Sequence, residues 1–375
     1  MMRTLAGVLA ASSALLLASC ASGPKLPDPT PLTPVASILQ AKTAWQTRIG
    51  PVPATFSTAA TGGSVVVASS DGTVERLDAS TGRTLWRSRI AGGISAGTGS
   101  DGTFTAVVNA HNQVVSIGPQ GQVLWLYQLP TSVITAPAVV DGTIAVQGAD
   151  QRLWAFNAAN GQKLWTADSR APALLLQQAS GITPHAGSLL VGTSLGRIES
   201  ISAATGAVQW QVTLARPRGI TEVERVVDIT GAPSVAASMV CARAYQSVVG
   251  CADLDTGRLL WADKADGDTG ISQNGDLLLA TQGDGVVQAY AAVDGAGRWS
   301  NDQLKYRKLS APLLVGVTVA VGDYQGYITF LSAKDGQLIG RVSTDGSAIL
   351  SPLVLSGNTI VAVTSDGGLY GFLPQ

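Results

Sequence analysis

A tryptophan recurs about every forty residues along most of the chain, and this period limits the fold more than any other feature. The tryptophans of this register are Trp45, Trp86, Trp125, Trp165, Trp210, Trp261 and Trp299. A glycine stands four residues before each of them except the first, and the register continues at Gly336, where Gly340 replaces tryptophan. Such a period is typical of repeat architectures, in which one unit cannot bury its apolar faces alone.

Each repeat contains four short segments with the composition of β-strands. Residues 65–68 are apolar and run into Asp71-Gly72, and residues 73–77 alternate beyond that turn. An Asp-Gly pair between two such runs is a strong hairpin signal. We therefore interpret each repeat as four antiparallel strands, named A to D in chain order, joined by three tight turns.

Four-stranded units of this length predict a β-propeller, in which neighbouring blades bury each other's faces. The last repeat begins near Gly367 and ends before its fourth strand, whereas residues 44–49 form a fourth strand with no blade before it. The sequence thus predicts an all-β fold over 41–375: an eight-bladed β-propeller of four-stranded antiparallel blades, closed by an N-terminal strand that joins the C-terminal blade. We expect the repeated tryptophans to pack between blades.

The N-terminus has the pattern of an export signal. Arg3 precedes an apolar run over 5–19, which is too short to span a bilayer as a helix. The run ends in Leu17-Ala18-Ser19-Cys20, which resembles a bacterial lipobox. This resemblance implies a lipoprotein signal peptide over 1–19 and lipidation of Cys20. The alternative is an ordinary secretory signal followed by a chance cysteine.

The residues after Cys20 are interpreted as a tether. Ala21 stands where Asp would be needed for retention, and in lipoproteins this implies export onward to the outer membrane. Five prolines lie within 22–34, and such a segment is extended. We expect residues 20–40 to be a lipidated cysteine and a Pro-rich tether that does not pack a core.

Composition excludes several classes of function. The net charge is −1, from 24 basic and 25 acidic residues, which argues against a nucleic-acid partner. Two His and three Cys leave little material for a metal site or a His-based catalyst. We interpret His111, at a blade turn, and His185, at a strand start, as structural, and predict no catalytic, cofactor-binding or metal-ligating residue.

Two blade-to-blade connections are longer than the repeat requires, and the meander places both at one end of the propeller. The connection within 166–182 contains three leucines over 174–176, and the connection within 212–231 contains a charged stretch over 221–228. Elaborated loops on a rigid scaffold are where function concentrates. An apolar centre with a charged rim predicts a protein–protein site. The alternatives are a cover for the core and a solvated charged face.

The repeat unit, Asp-Gly, strand, Asp-x-x-x-Gly, x-x-x-Trp, resembles the quinoprotein-type propeller repeat. Two kinds of protein carry it: quinoprotein alcohol dehydrogenases, and the BamB family of lipoproteins in the outer-membrane β-barrel assembly machinery. With a lipobox, a Pro-rich tether and eight blades, the chain from Cys20 onward resembles the BamB family. That resemblance implies a non-enzymatic scaffold at the periplasmic face of the outer membrane, bound to the POTRA domains of the barrel insertase BamA and to other subunits.

The resemblance also implies which residues contact the partner. They are Leu174, Leu176, Gln177, Glu222, Arg225 and Asp228. Gln177 stands where the family has Arg, and Thr230 where it has the last Asp of the second motif, while Glu224 stands at the first. One charge of each sign is therefore missing, and the charge pairing across the interface is expected to differ.

The second function considered is an exported quinoprotein-like oxidoreductase. That chemistry needs a quinone, a Ca²⁺ held by carboxylate and amide oxygens, and a general-base carboxylate. Asp71, Asp284 and Asp366 are accounted for by hairpin turns, and no two cysteines are adjacent as they are in those dehydrogenases. A propeller for cell-envelope or polysaccharide assembly is a third alternative.

Two further features leave alternatives open. Cys241 and Cys251 lie ten residues apart on strands flanking Gln246. They face each other if the loop has an odd number of residues, so the sequence predicts either a disulfide or two buried thiols. The outer blade edges are interpreted either as protected edges or as sites where strands of unfolded outer-membrane proteins add to the sheet.

Overall fold

The computed structural model describes residues 27–35, 38–39, 41–168, 176 and 180–374, which form eight four-stranded antiparallel sheets. Blade 1 consists of β2 (Ala59–Thr61), β3 (Ser64–Ala68), β4 (Thr73–Asp78) and β5 (Thr84–Arg89), and blade 2 of β6 (Gly99–Ser100), β7 (Thr105–Val108), β8 (Gln113–Ile117) and β9 (Val123–Gln128). Blade 3 consists of β10 (Ala138–Val140), β11 (Thr143–Gln147), β12 (Leu153–Asn157) and β13 (Lys163–Ala167), and blade 4 of β14 (Ile182–His185), β15 (Ser188–Gly192), β16 (Arg197–Ser202) and β17 (Val208–Thr213). The predicted eight-bladed propeller is confirmed.

The other four blades repeat the same meander. Blade 5 consists of β18 (Ile229–Ala236), β19 (Met239–Ala244), β20 (Val248–Asp253) and β21 (Leu259–Lys264), and blade 6 of β22 (Ile271–Gln273), β23 (Leu277–Thr281), β24 (Val287–Ala291) and β25 (Gly297–Asn301). Blade 7 consists of β26 (Leu313–Val315), β27 (Thr318–Gly322), β28 (Tyr327–Ser332) and β29 (Leu338–Ser343), and blade 8 of β30 (Val354–Ser356), β31 (Thr359–Val363), β32 (Gly368–Pro374) and β1 (Ala41–Arg48).

The ring is closed by pairing between the two ends of the chain. Strand β1 lies antiparallel to β32, from Ala41 opposite Pro374 to Arg48 opposite Gly368. The first strand therefore supplies the outer strand of blade 8, as predicted.

The two ends of the propeller differ in the loops that they carry. The amide of Ile90, in a D-to-A connection, donates to the carbonyl of Gly72 in a B-to-C turn at 2.8 Å, and Tyr306 donates to Asp284 in the same way at 2.7 Å. B-to-C turns and D-to-A connections thus share one end, here called the loop face. The A-to-B and C-to-D turns form the opposite end, here called the turn face.

Seven of the eight seams between blades are filled by a tryptophan seated on a glycine of the next blade. The indole N–H of Trp125 donates to the carbonyl of Ala158 at 2.8 Å, and a Cβ on Gly161 would lie 2.8 Å from the indole ring. Gly161 has φ +75°, which only glycine adopts readily. The same ring-on-glycine contact joins Trp45 to Gly82, Trp86 to Gly121, Trp165 to Gly206, Trp210 to Gly257, Trp261 to Gly295 and Trp299 to Gly336. The predicted packing of the tryptophans between blades is confirmed.

The seam between blades 7 and 8 is built differently. Gly340 replaces the tryptophan, and Ala41 stands where the next glycine would be. Leu39 packs into the cluster at this seam with Ala41 and Ile339, and its amide donates to the carbonyl of Ile339 at 2.9 Å. A residue from outside the repeats thus takes over the filling role.

The described part of the predicted tether lies against blade 7. Leu32 packs on the apolar cluster between blades 6 and 7, and the amide of Thr30 donates to the carbonyl of Lys305 at 3.0 Å. Arg307 and Arg341 donate to the carbonyls of Thr30 and Thr33, respectively. The expectation that this segment packs no core does not hold at Leu32, because the prolines keep the chain extended while this leucine still finds an apolar seam.

Cys241 and Cys251 form a disulfide between adjacent strands of blade 5. They are register partners on β19 and β20, with their Cα atoms 4.0 Å apart, and both are fully buried. The turn between these strands holds three residues, 245–247, and this odd number places the two side chains on the same face.

Among the described residues no helix is long and apolar enough to cross a membrane.

Substituting the seam glycine of blade 3 should cost more than substituting an equally strained glycine in open space. Gly142, in the same blade, has φ +72° and nothing within 4 Å of a Cβ built on it. We expect Gly142→Ala to cost about 1 kcal/mol through backbone strain and Gly161→Ala about 2 kcal/mol more, because the new methyl meets the Trp125 ring. Urea unfolding of both variants measures this, and equal losses would contradict the seam as the cause.

Removing the disulfide should destabilise the protein. We expect the double variant Cys241→Ala, Cys251→Ala to lose roughly 2–3 kcal/mol of unfolding free energy, because a short loop is no longer closed in the unfolded chain. Urea titrations with and without dithiothreitol measure this. Reductant should lower the midpoint of the wild type and leave the double variant unchanged; a wild type insensitive to reductant would argue against the bridge.

Candidate protein-interaction site

The two long connections lie side by side at the loop face, between blades 3 and 4 and between blades 4 and 5. Ser180 and Gly231 form a parallel bridge, and the amide of Gly181 donates to the carbonyl of Gly231 at 3.0 Å. The amide of Leu176 donates to Oδ2 of Asp228 at 2.9 Å. The structure therefore joins the two connections that the sequence analysis proposed as one site.

Asp228 lies beneath this surface rather than on it. Its side chain is buried, and Oδ1 has no hydrogen-bond partner within the described residues. Burial raises the pKa of its carboxyl group, and the hydrogen bond from Leu176 opposes that rise only in part. A carboxylate placed in this way holds the first connection against the second; it does not offer a free charge to a partner.

The charged stretch of the second connection folds into an exposed turn. Oε2 of Glu224 accepts hydrogen bonds from the amides of Ile220 at 2.9 Å and Thr221 at 3.1 Å, and these bonds lower the pKa of the Glu224 carboxyl. Arg225 lies 3.9 Å from Glu222, and both side chains are more than half exposed. An exposed pair of this kind contributes little to stability, so both charges are available to a partner.

Two apolar side chains on this turn were not identified from the sequence. Ile220 is 97% exposed and Val223 is 73% exposed, and Ile220 is the most exposed large apolar side chain among the described residues. Arg216 and Arg218 are also exposed beside them. We call the surface formed by residues 216–225 the loop-face patch. An apolar centre with charges around it is the usual composition of a protein–protein contact.

The structure describes only some of the other predicted site residues. Leu176 is half-buried against the second connection, whereas Leu174 and Gln177 lie outside the described residues, as does Cys20. Thr230, which stands where the family has Asp, is buried, and its hydroxyl has no partner in the described part of the chain.

A cavity of about 650 Å³ lies at the starts of the A strands of several blades. Small residues form much of its wall, including Gly99, Gly181 and Ala232, and Lys308 also lines it. Over the ranges that the structure describes, no three His, Cys, Asp or Glu side chains are grouped so as to hold a metal ion. His185 is exposed on β14, and His111 packs beside Gly92.

Comparison with known proteins places the chain among assembly factors. A family model described as "Outer membrane protein assembly factor BamB" matches residues 70–301 and 283–373. The BamB of Burkholderia pseudomallei (strain K96243) is 38% identical over 377 residues, covering 100% of this chain and 99% of that protein. The BamB of Bordetella pertussis is 36% identical over 343 residues, covering 91% and 89%.

Solved structures share the fold. The crystal structure of BamB from Moraxella catarrhalis has a TM-score of 0.81 and 22% identity, covering 89% of this chain and 100% of that one. The quinohemoprotein alcohol dehydrogenase from Comamonas testosteroni has a TM-score of 0.67 and 12% identity, covering 90% and 77%. At these identities both likenesses indicate the propeller alone.

Replacing Asp228 should distinguish a positioning role from a charge role. Asp228→Asn keeps an oxygen that accepts from Leu176, whereas Asp228→Ala does not. We expect amide hydrogen exchange at Leu176 to stay near the wild-type rate in the Asn variant and to accelerate about fivefold in the Ala variant, because one hydrogen bond worth about 1 kcal/mol is lost. Equal acceleration in both variants would mean that the charge itself is required.

Proposed function

Because the chain belongs to the BamB family of outer membrane protein assembly factors, we propose that it supports the assembly of β-barrel proteins into the outer membrane as a non-enzymatic scaffold. Its principal partners are the POTRA domains of the insertase BamA, together with other subunits of the assembly complex. Unfolded outer-membrane proteins are its clients.

The observation that carries this proposal is the loop-face patch. This patch leaves Ile220 and Val223 exposed to water, although each would be more stable buried. Exposed apolar side chains ringed by charge mark an interaction site more often than a stability feature. The propeller beneath is rigid, so the patch is presented without a large ordering cost on binding.

Each predicted contact residue takes a distinct role in this proposal. Glu222 and Arg225 form the charged rim and select the partner by charge complementarity. Asp228 and Leu176 position the surface, because the bond between them ties the two connections together. Leu174 and Gln177 belong to the first connection in the sequence, outside the described residues, and are proposed as further contact residues.

Attachment to the outer membrane, facing the periplasm, completes the proposal. A diacylglycerol and an amide-linked acyl chain on Cys20 supply two anchors, which suffice for stable attachment. The segment over 27–35 then joins the anchor to blade 7 near Lys305, on the loop face. The anchored side and the partner-binding patch therefore belong to the same end of the propeller.

The alternative of an exported quinoprotein-like oxidoreductase is not favoured. The curated relatives at 38% and 36% identity are named as assembly factors. The likeness to a quinohemoprotein dehydrogenase rests on a shared fold at 12% identity, and a fold is not a function.

Binding to the POTRA domains should depend on the loop-face patch. We expect the mature protein in detergent to bind the POTRA domains of its own insertase. The double variant Ile220→Asp, Val223→Asp should bind at least about tenfold more weakly, because binding would remove water from the two new carboxylates. Isothermal titration calorimetry measures both affinities.

The matched control is Val317→Asp. Val317 is 81% exposed in the A-to-B turn of blade 7, on the turn face. This variant should bind as the wild type does. Unchanged binding by the double variant would move the site elsewhere, and no binding by the wild type would count against the scaffold function and favour a role in cell-envelope assembly.

A further inference from the structure

The outer strand of blade 2 differs in charge from six of the other seven outer strands. An unpaired sheet edge invites pairing with another chain, and charged side chains on the edge usually prevent this. The other outer strands carry such charges except β17: Arg87 and Arg89 in β5, Lys163 in β13, Asp263 and Lys264 in β21, Arg298 in β25, Arg341 in β29, and Lys42 and Arg48 in β1. Strand β9 carries none, and no Asp, Glu, Lys or Arg occurs between Asp101 and Asp141.

Strand β9 is also the most apolar of these edges. Val123 is 43% exposed, Leu124 37% and Leu126 53%, whereas Val208 is the one large apolar side chain of β17 that is exposed. Trp125 and Tyr127 point the other way and pack on Phe156, with ring centroids 5.8 and 4.5 Å apart. One face of β9 therefore exposes two leucines, while its other face is packed against the neighbouring blade.

The backbone of β9 has one free side. Within the described residues β9 pairs with β8 alone and lies at the end of its sheet. Its outward amides and carbonyls can accept only a partner with the same repeat of donors and acceptors, which is an extended strand. The backbone thus specifies the conformation of the occupant, and the neutral side chains specify its composition.

The same propeller already adds distant segments to its outer edges. Strand β1 pairs with β32, although they come from opposite ends of the chain. On blade 7, the amides of Ile38 and Leu39 both donate to the carbonyl of Ile339 in the outer strand. Blade 8 therefore shows that the edge of a sheet in this fold can take up an extended strand from elsewhere in the chain, and blade 7 shows that a carbonyl of an outer strand can accept hydrogen bonds from outside its repeat.

We propose that β9 is a docking edge for an extended, uncharged strand of an unfolded outer-membrane β-barrel protein, which adds to blade 2 by antiparallel or parallel pairing. Strands that will face lipid alternate apolar and polar residues over about ten positions. Such a strand matches an edge whose exposed side chains include Leu124 and Leu126 and which offers no charge to repel or to pair. This inference rests on the proposed function and names the site at which a client is held.

The test is binding of short peptides to the mature protein in detergent. The probes are fluorescein-labelled peptides of about twelve residues that copy the transmembrane strands of one outer-membrane β-barrel protein. Fluorescence anisotropy measures their affinity for the wild type, Leu124→Lys and Leu126→Lys. We expect each lysine to weaken binding at least about tenfold, because it places a charge on the pairing edge.

The matched control is Leu164→Lys on the outer strand of blade 3. Leu164 also stands directly before a seam tryptophan and is 42% exposed, close to the 37% of Leu124. This variant should bind the peptides as the wild type does. Equal weakening by Leu124→Lys and Leu164→Lys, or no weakening by either, would overturn the assignment to β9.

Two further measurements separate this inference from other outcomes. Peptides methylated on alternate backbone nitrogens should lose binding, because they lack the donors that pairing requires; retained binding would mean apolar contact without strand addition and would overturn the proposal. Titration of the POTRA domains should give the same affinity for Leu124→Lys as for the wild type. Peptide binding without POTRA binding would count against the scaffold function alone, and the absence of peptide binding would count against β9 alone.

Discussion

The stability of the ring depends on a contact made at seven of its eight seams, in which a tryptophan of one blade is seated on a glycine of the next. A single blade exposes both faces of its sheet, so it is stable only where its neighbours cover them. Trp125 shows how one residue joins two blades: its ring covers part of the neighbouring blade at Gly161, and its N–H donates a hydrogen bond to the carbonyl of Ala158. Truncating a buried tryptophan costs about 3–5 kcal/mol. Trp45 and Trp86 are buried and the other five seam tryptophans are half-buried, so each of those five contributes less than this, but the contact recurs around the ring. The result is a rigid frame that can carry elaborated loops without losing its shape.

The exceptions to this contact lie near the junction of the chain ends. Trp86 meets Gly121, but its buried N–H has no acceptor in the described part of the chain. Blade 2 pairs Ile117 with Val123 where blade 1 pairs Leu77 with Thr84, so its C-to-D turn is one residue shorter. At the seam between blades 7 and 8 both partners are replaced and Leu39 fills the gap. A residue that precedes the first strand therefore also completes the ring.

The architecture could be predicted because its signals are periodic. The Trp and Gly registers, the Asp-Gly turns and the unpaired first strand are repeated or complementary, so they predicted the blade number and the closure. Exposure within an irregular loop leaves no such signal. In the sequence, Ile220 and Val223 are only apolar residues in or beside a charged stretch, and nothing distinguishes Asp228 from an exposed charge. Its burial depends on Leu176, which lies far away in sequence. Likewise, the five prolines predicted a tether without a packing role, although Leu32 and Leu39 of that segment pack against blade 7.

Repetition of one blade also explains how several surfaces can coexist on one small ring. Each repeat must keep its seam residues, but its outer edge and its connections are free to diverge. The connections that join blade 4 to its neighbours are long, the outer strand of blade 2 carries no charge, and blade 7 holds a docked segment. With about 45° between successive blades, these three features face different directions around the axis. In the proposed function, a partner, a client strand and the membrane anchor therefore do not compete for space, and the rigid frame keeps the distances between them constant.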